Sequence, residues 1–291
     1  MGAEIFSIIA PVLFGVGVGY TWSKMGRSFD AEFATAIVYN IATPLLIFST
    51  LTSMKIDVPM FSELAGVMTV AALGFILVGY VILKVWGLDR RTYWPSISIP
   101  NSGNMGLPLA FIAFGQEGLG IGVIVYTVIS MNQFTFSVIV SSGHFSFREL
   151  MKIPLIYAVI AALLVMGFGL EVPAWIASTS SIYGQLVIPL MLIALGVSLA
   201  SLKISSFPRS LAIAVFRILI GFTIALGVTE VFGLNGVAQG VIILQSAMPA
   251  AVFNYMLALR YNNSPPEIAG VVITSTVFSF LTLPLLLWFV L

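Results

Sequence analysis

The sequence predicts an all-α polytopic membrane protein: ten transmembrane helices arranged as two five-helix repeats of opposite orientation. Three observations carry that expectation. Of 291 residues, 59% are hydrophobic and only 8% are charged, with a mean hydropathy of +1.10. Apolar stretches of spanning length follow one another with short joins. Three features of the first half recur, in order, in the second.

Soluble domains carry about 25% charged residues. A chain this poor in charge has no polar coat to face water, so lipid is its main solvent. The net charge of +1, with no basic block, leaves nucleic acid without a docking surface. There are no cysteines, which excludes disulfide frameworks, thiolate catalysis and thiolate metal sites. His144 is the single histidine and has no ligand partners in its neighbourhood. With no HExxH motif and no Ser/His/Asp set, the sequence points away from an enzyme, a metal centre or a bound cofactor.

A span needs roughly 20 apolar residues. The first is expected over 5–21; without a basic leader region or a small-residue cleavage site it reads as a membrane helix and not a removable signal peptide. Its `GVGVG` (Gly15, Gly17, Gly19) reads as a close-packing surface. The second covers 33–54, the third 62–83, the fourth 93–114 and the fifth 118–140. The sixth to tenth cover 153–170, 181–202, 208–229, 236–259 and 268–291. Pro11, Pro44 and Pro189 read as isolated kinks.

Orientation follows from the basic residues. Of twelve Lys and Arg, Lys55 lies on one side and Arg217 within a span. The other ten (Lys24, Arg27, Lys84, Arg90, Arg91, Arg148, Lys152, Lys203, Arg209, Arg260) lie in the odd-numbered connections. That places the odd connections in the cytoplasm and both termini outside, in a cell (inner or plasma) membrane.

The repeat is read from three matches. `LTSMKI` (Leu51–Ile56) returns as `LASLKI` (Leu199–Ile204), 148 residues later. Pro100 corresponds to Pro249, and `EGLGIGVIV` from Glu117 to `EIAGVVITS` from Glu267. The repeats are thus 1–143 and 152–291. Five helices is an odd number, so the second copy must enter from the opposite side. Inverted repeats of this kind mark secondary transporters.

The fourth span contains `SISIPNSGNMGLPL` and the ninth `QSAMPAAVFN`. Proline breaks the helical ladder, and backbone groups freed in lipid cost several kcal/mol unless satisfied. Such segments are tolerable only where they face protein or a watery cavity. If the two breaks meet, half-helix N-termini there suit an anion and C-termini suit a cation. Candidate substrate contacts are Pro100, Asn101, Ser102 and Asn104 from the first break, with Gln245, Pro249 and Asn254 from the second. All eleven acids fall in connections or near helix ends, so site polarity is expected from Asn, Gln, Ser, Thr and carbonyl groups. Arg217 lies eight residues beyond Arg209, roughly 12 Å deeper along a helix, where a charge marks a pathway or a pair. It is a candidate counter-charge.

These motifs resemble those of the auxin efflux carrier family, which includes plant PIN carriers and prokaryotic permeases. The second span has `YNIATPLLIFSTL`, the fourth `PNSGNMGLPL`, and the last two `MPAAVFNYMLALRYNNSPPEI` and `STVFSFLTLPLL`. The likeness extends over nearly the whole chain, with the fourth-span motif the most specific. It implies a ten-helix fold related to bile acid:sodium symporters. In that fold the fourth and ninth helices cross at their prolines. Helices 1, 2, 6 and 7 form a scaffold, and helices 3–5 and 8–10 a transport domain. It implies a homodimer joined through the scaffold, an organic-anion substrate, and contact of Asn101 with the substrate carboxylate. The chain departs from the plant pattern in its connection of about a dozen residues between the fifth and sixth spans. Asn254 stands where the plant carriers often have a second proline, and the charged support site of their third helix has no match here: Glu63 is nearby but does not take the role.

The expectation is a secondary carrier for a small organic anion, working by alternating access. Its rival is a Na⁺-coupled symporter of the same fold, with Gln245, Ser246, Thr274 and Ser275 as ion ligands. A channel would need a continuous polar stripe, whereas polarity here is concentrated at two breaks.

Overall fold

The computed structural model describes residues 2–54, 56–145, 147–202 and 205–291, without the side chains of Glu32 and Glu149. Lys55, Lys203 and Ile204 of the repeated hexapeptide lie outside the described residues.

Helix α1 is Gly2–Lys24. Helices α2 (Ala31–Ile37) and α3 (Thr43–Ser53) are joined by a π-helical turn, Val38–Ala42. Pro44 explains that turn: lacking an N–H, it disturbs the i→i−4 ladder, and the Thr43 amide reaches back five residues to the Val38 carbonyl. Then come α4 (Val58–Trp86) and α5 (Arg90–Ser98). The three aspartates of the chain are all N-caps. Asp30, Asp57 and Asp89 accept from the amides of Phe33, Met60 and Thr92 at 2.9, 2.8 and 2.8 Å. A second π turn, Ser102–Gly106, leads into α6 (Leu107–Asn132), where Pro108 and the Leu107 amide repeat the Pro44 arrangement. Within α6, Gly115 has φ 64° and ψ −149°, a backbone conformation open to glycine and a break in the helical path.

A third π turn, Gln133–Ser137, precedes α7 (Val138–Ser142) and the short α8 (Phe147–Leu150). The second half holds α9 (Pro154–Gly167), α10 (Ala174–Gly184), α11 (Val187–Ser201) and α12 (Phe207–Val231). It ends with α13 (Gly236–Ser246), α14 (Phe253–Tyr261) and α15 (Pro265–Val290).

Among the described residues, seven helical stretches are long and apolar enough to cross a membrane, so the chain is an all-α polytopic membrane protein. The number differs from the ten spans expected, for local reasons. The fifth expected span and the part of the fourth beyond its break run together in one 41-residue stretch, Ser102–Ser142. The sixth is a 14-residue helix, and the ninth is divided at Pro249 into pieces of 11 and 9 residues. Phe6, Val85, Trp175, Val231 and Leu281 are largely exposed, as lipid-facing side chains are.

Two sets of helices pack among themselves. In one, α1 runs along α11, and α3 packs against α9 and α10. In the other, α12 packs against α4, α13 and α15, and α6 against α13 and α4. Close approach in the first set depends on glycine. A Cβ at Gly19 would strike the Ile193 carbonyl, and one at Gly196 the Val16 carbonyl. Gly15 faces Leu192, but Gly17 meets nothing within 4 Å, so the packing surface expected of `GVGVG` is narrower than the motif.

Candidate functional site

The two broken helices meet through their backbones. The Asn101 amide donates to the Pro249 carbonyl at 2.7 Å, and the Ala251 amide to the Ile99 carbonyl at 3.2 Å. Pro100 and Ala250 thereby form an isolated antiparallel bridge. Each segment satisfies backbone groups that the other's break has freed, which is how extended peptide survives among helices in lipid. The Ser275 hydroxyl accepts from the Ala250 amide at 3.1 Å, tying α15 to the junction.

The pairing sorts the four half-helix ends by polarity. The N-terminal ends, at Ser102 and Phe253, lie on one cavity of about 360 Å³. The cavity occupies the seam between the two helix sets. Pro100, Asn101, Ser102, Gly103 and Asn104 line it from the first break, and Ala251, Val252 and Phe253 from the second. Tyr39, Tyr126, Gln133 and Phe134 add walls, and Leu190, Met191 and Ser198 of α11 close the far side. Aromatic contacts run along the wall, Tyr39 to Phe134 at 4.9 Å and Phe134 to Phe253 at 5.0 Å between ring centres. Among the described residues, no Asp, Glu, Lys or Arg lines the cavity.

Asn101 has two jobs available to its amide. Its Oδ1 accepts from the Asn104 amide at 3.3 Å and caps the second half-helix. Its Nδ2 is buried without a partner among the described residues. Gly103 is needed beside it, because a Cβ there would run into the Tyr126 ring.

Of the other expected contacts, Gln245, Pro249, Asn254 and Arg217 do not line this cavity. Asn254 accepts from Gln133 Nε2 at 2.9 Å and donates to the Pro95 carbonyl at 3.3 Å, fastening α14 to its neighbours. Gln245 packs between Gly106 and Gly122, fully buried, with both amide atoms unpartnered among the described residues. Its expected companions are dispersed in their bonding. The Ser246 hydroxyl points to Met68 Sδ at 3.9 Å, Ser275 is engaged with Ala250, and Thr274 Oγ1 has no partner among the described residues.

Arg217 meets the opposite ends of the broken helices. Its Nη1 donates to the carbonyls of Ile97 and Ser98 at 3.0 and 2.6 Å, and its Nη2 to that of Ser246 at 2.8 Å. The Phe75 ring lies 4.9 Å from the guanidinium carbon. The pair anticipated for Arg217 is thus made with main-chain carbonyls.

Sequence reasoning did not single out Tyr126, Gln133, Phe134 or the α11 wall. Gln133, an amide inside an apolar span beside Asn132, was the available signal.

The family described as membrane transport protein matches residues 135–287. An uncharacterized transporter of Methanothermobacter thermautotrophicus is 28% identical over 297 residues, covering 95% of both chains. An uncharacterized transporter of Methanocaldococcus jannaschii is 24% identical over 303 residues, covering 98% of both. With the family's region spanning more than half its length, the chain belongs to the auxin efflux carrier family of membrane transport proteins.

Proposed function

We propose that the protein is a secondary transporter that moves a small organic anion across the cell membrane by alternating access. One observation carries the reading. Two half-helix N-termini, the first lined by Asn101, Ser102 and Asn104, converge on a cavity with no acid among its described lining residues. Donors and partial positive charge without a fixed negative group are what a carboxylate needs. Asn101, Ser102 and Asn104 contact it, Pro100 and Pro249 hold the breaks in register, and Gln133 and Asn254 brace the pocket.

The fold behind this function has ten spans in two inverted repeats, 1–143 and 152–291. A helix of 41 residues would be about 60 Å long against a hydrocarbon core of about 30 Å, so Gly115 marks where the chain turns back. The scaffold is α1–α3 with α9–α11, and the transport domain is α4–α7 with α12–α15. The cavity lies at their seam, where a sliding domain would open and close it. Its lining includes Ala31, Ser201 and Leu259, near the connections rich in Lys and Arg, so on the orientation read from charge it opens to the cytoplasm. Dimerisation is assigned to the scaffold, and both termini to the outer side.

The test is a thermal-stabilisation screen of purified protein against mono- and dicarboxylates, followed by exchange of the stabilising anion in proteoliposomes. Saturable exchange is expected. Stabilisation by none of them, or binding without exchange, overturns the proposal.

A further inference from the structure

The anion reading uses the N-terminal ends of the broken helices and leaves their C-terminal ends to be explained. The last four carbonyls of a helix have no partner within it, and the end carries roughly half a negative charge. Here two such ends, at Ser98 and Ser246, are brought together by the pairing of Pro100 with Ala250. A cluster of carbonyls of this kind inside a membrane protein needs a cation or a set of donors. Arg217 supplies both. It is fully buried, its two terminal nitrogens make three hydrogen bonds to carbonyls of both ends, and Phe75 covers the guanidinium face. Gly221, one turn further along α12, permits the approach, because a Cβ there would strike the Ser246 carbonyl. The guanidinium is a cation that the chain itself carries.

We infer that Arg217 is a resident cation for the broken-helix pair, filling the place against these carbonyls that an alkali-metal ion would otherwise take. It is a positioning residue: it holds the carbonyl ends together so that the opposite ends stay aimed at the cavity. The protein therefore binds no Na⁺ at this junction, and transport does not draw on a Na⁺ gradient there. Only the statement about transport rests on the carrier reading above; the statement about ion binding does not.

The test uses the full chain in detergent and Na⁺ alone as probe. Unfolding midpoints are measured across a NaCl titration, with N-methyl-D-glucamine chloride holding ionic strength constant. Wild type is expected to be flat. Arg217→Lys, which keeps the charge and loses the fork of donors, is expected to melt lower and also to be flat. Arg217→Ser, which empties the position, is expected to gain a saturable Na⁺-dependent rise of about 3 °C when Na⁺ reaches ten times its dissociation constant. A saturable rise in wild type or Arg217→Lys overturns the inference. So does a folded Arg217→Ser that ignores Na⁺. If Arg217→Ser does not fold, the other two titrations decide. Anion exchange by a wild type that Na⁺ stabilises would sink this inference alone. Loss of all anion exchange with a flat titration would sink the carrier reading alone.

Discussion

Replacing Asn101 by Asp separates the two tasks assigned to its side chain. The substitution keeps an acceptor for the Asn104 amide, now 3.3 Å away, and a carboxylate caps a helix at least as well as an amide. Stability is therefore expected to hold. The donor at Nδ2, which has no partner among the described residues, is lost. A hydrogen bond to a charged group contributes about 1.5–3 kcal/mol. A carboxylate set about 4 Å from the bound anion adds repulsion of about 4 kcal/mol at an effective dielectric of 20. At 1.4 kcal/mol per decade, the two together weaken anion binding by at least about 10³-fold. Asn101→Ala removes the donor without the repulsion, for a loss of about 10- to 100-fold, and also costs the cap about 1 kcal/mol. The assay pairs anion exchange in proteoliposomes with unfolding midpoints of the same preparations. The expected pattern is a stable but inactive Asp variant and a weakened, less stable Ala variant. An Asp variant that exchanges anion at wild-type rate and half-saturation would refute the placement of the anion against Asn101.

Gly221→Ala should force α12 away from the Ser246 carbonyl and destabilise by about 1–3 kcal/mol, read as a lower unfolding midpoint. Gly196→Ala should do the same through the Val16 carbonyl, whereas Gly17→Ala, at an open position, should be neutral or stabilising by up to about 1 kcal/mol. Asp89→Ala should lose a cap of about 1 kcal/mol at neutral pH. Burial raises the Asp89 carboxyl, but hydrogen bonds from Thr92 and Arg91 and the Arg91 charge outweigh it and hold it below the ordinary value. A depressed folded value means the contribution is full above about pH 4 and fades as pH falls through the folded value. The gap between wild type and Asp89→Ala should therefore narrow as pH falls below about 4 in acid melts.

The breaks were legible because lipid makes irregular backbone expensive. Pro, Gly and Asn at `PNSGNMGLPL` and Pro at `QSAMPAAVFN` had to be compensated by protein, and 149 residues separate two prolines whose neighbours now share hydrogen bonds. The cavity wall was not legible, for an equally physical reason. In water, apolar periodicity tells inside from outside; in lipid both faces of a span are apolar, so the rotation of the span that carries Tyr126 and Phe134 leaves no trace in hydropathy. Arg217 was visible as a buried charge, but its partners are main-chain carbonyls, which have no letter in the sequence. The π turns had a weak signal, since two of the three precede Thr43-Pro44 and Leu107-Pro108.

Glycine placement follows from what the breaks require of their neighbours. An interrupted helix exposes carbonyls and amides that must be approached within hydrogen-bonding distance, and a side chain on the facing helix would stand in the way. The glycines nearest the breaks have something against them. Gly103 faces Tyr126, Gly106 and Gly122 face Gln245, and Gly221 faces the Ser246 carbonyl. Gly66 and Gly227, on exposed or partly exposed faces of α4 and α12, meet nothing within 4 Å. The two kinds look alike in the sequence. They differ in what a methyl group would displace: lipid or water in one case, a side chain or carbonyl packed at the broken-helix junction in the other. Function should therefore respond to alanine at Gly103, Gly106, Gly122 and Gly221 while tolerating it at Gly66 and Gly227. A scan of anion exchange that ranked the two groups alike would mean the junction does not control the cavity.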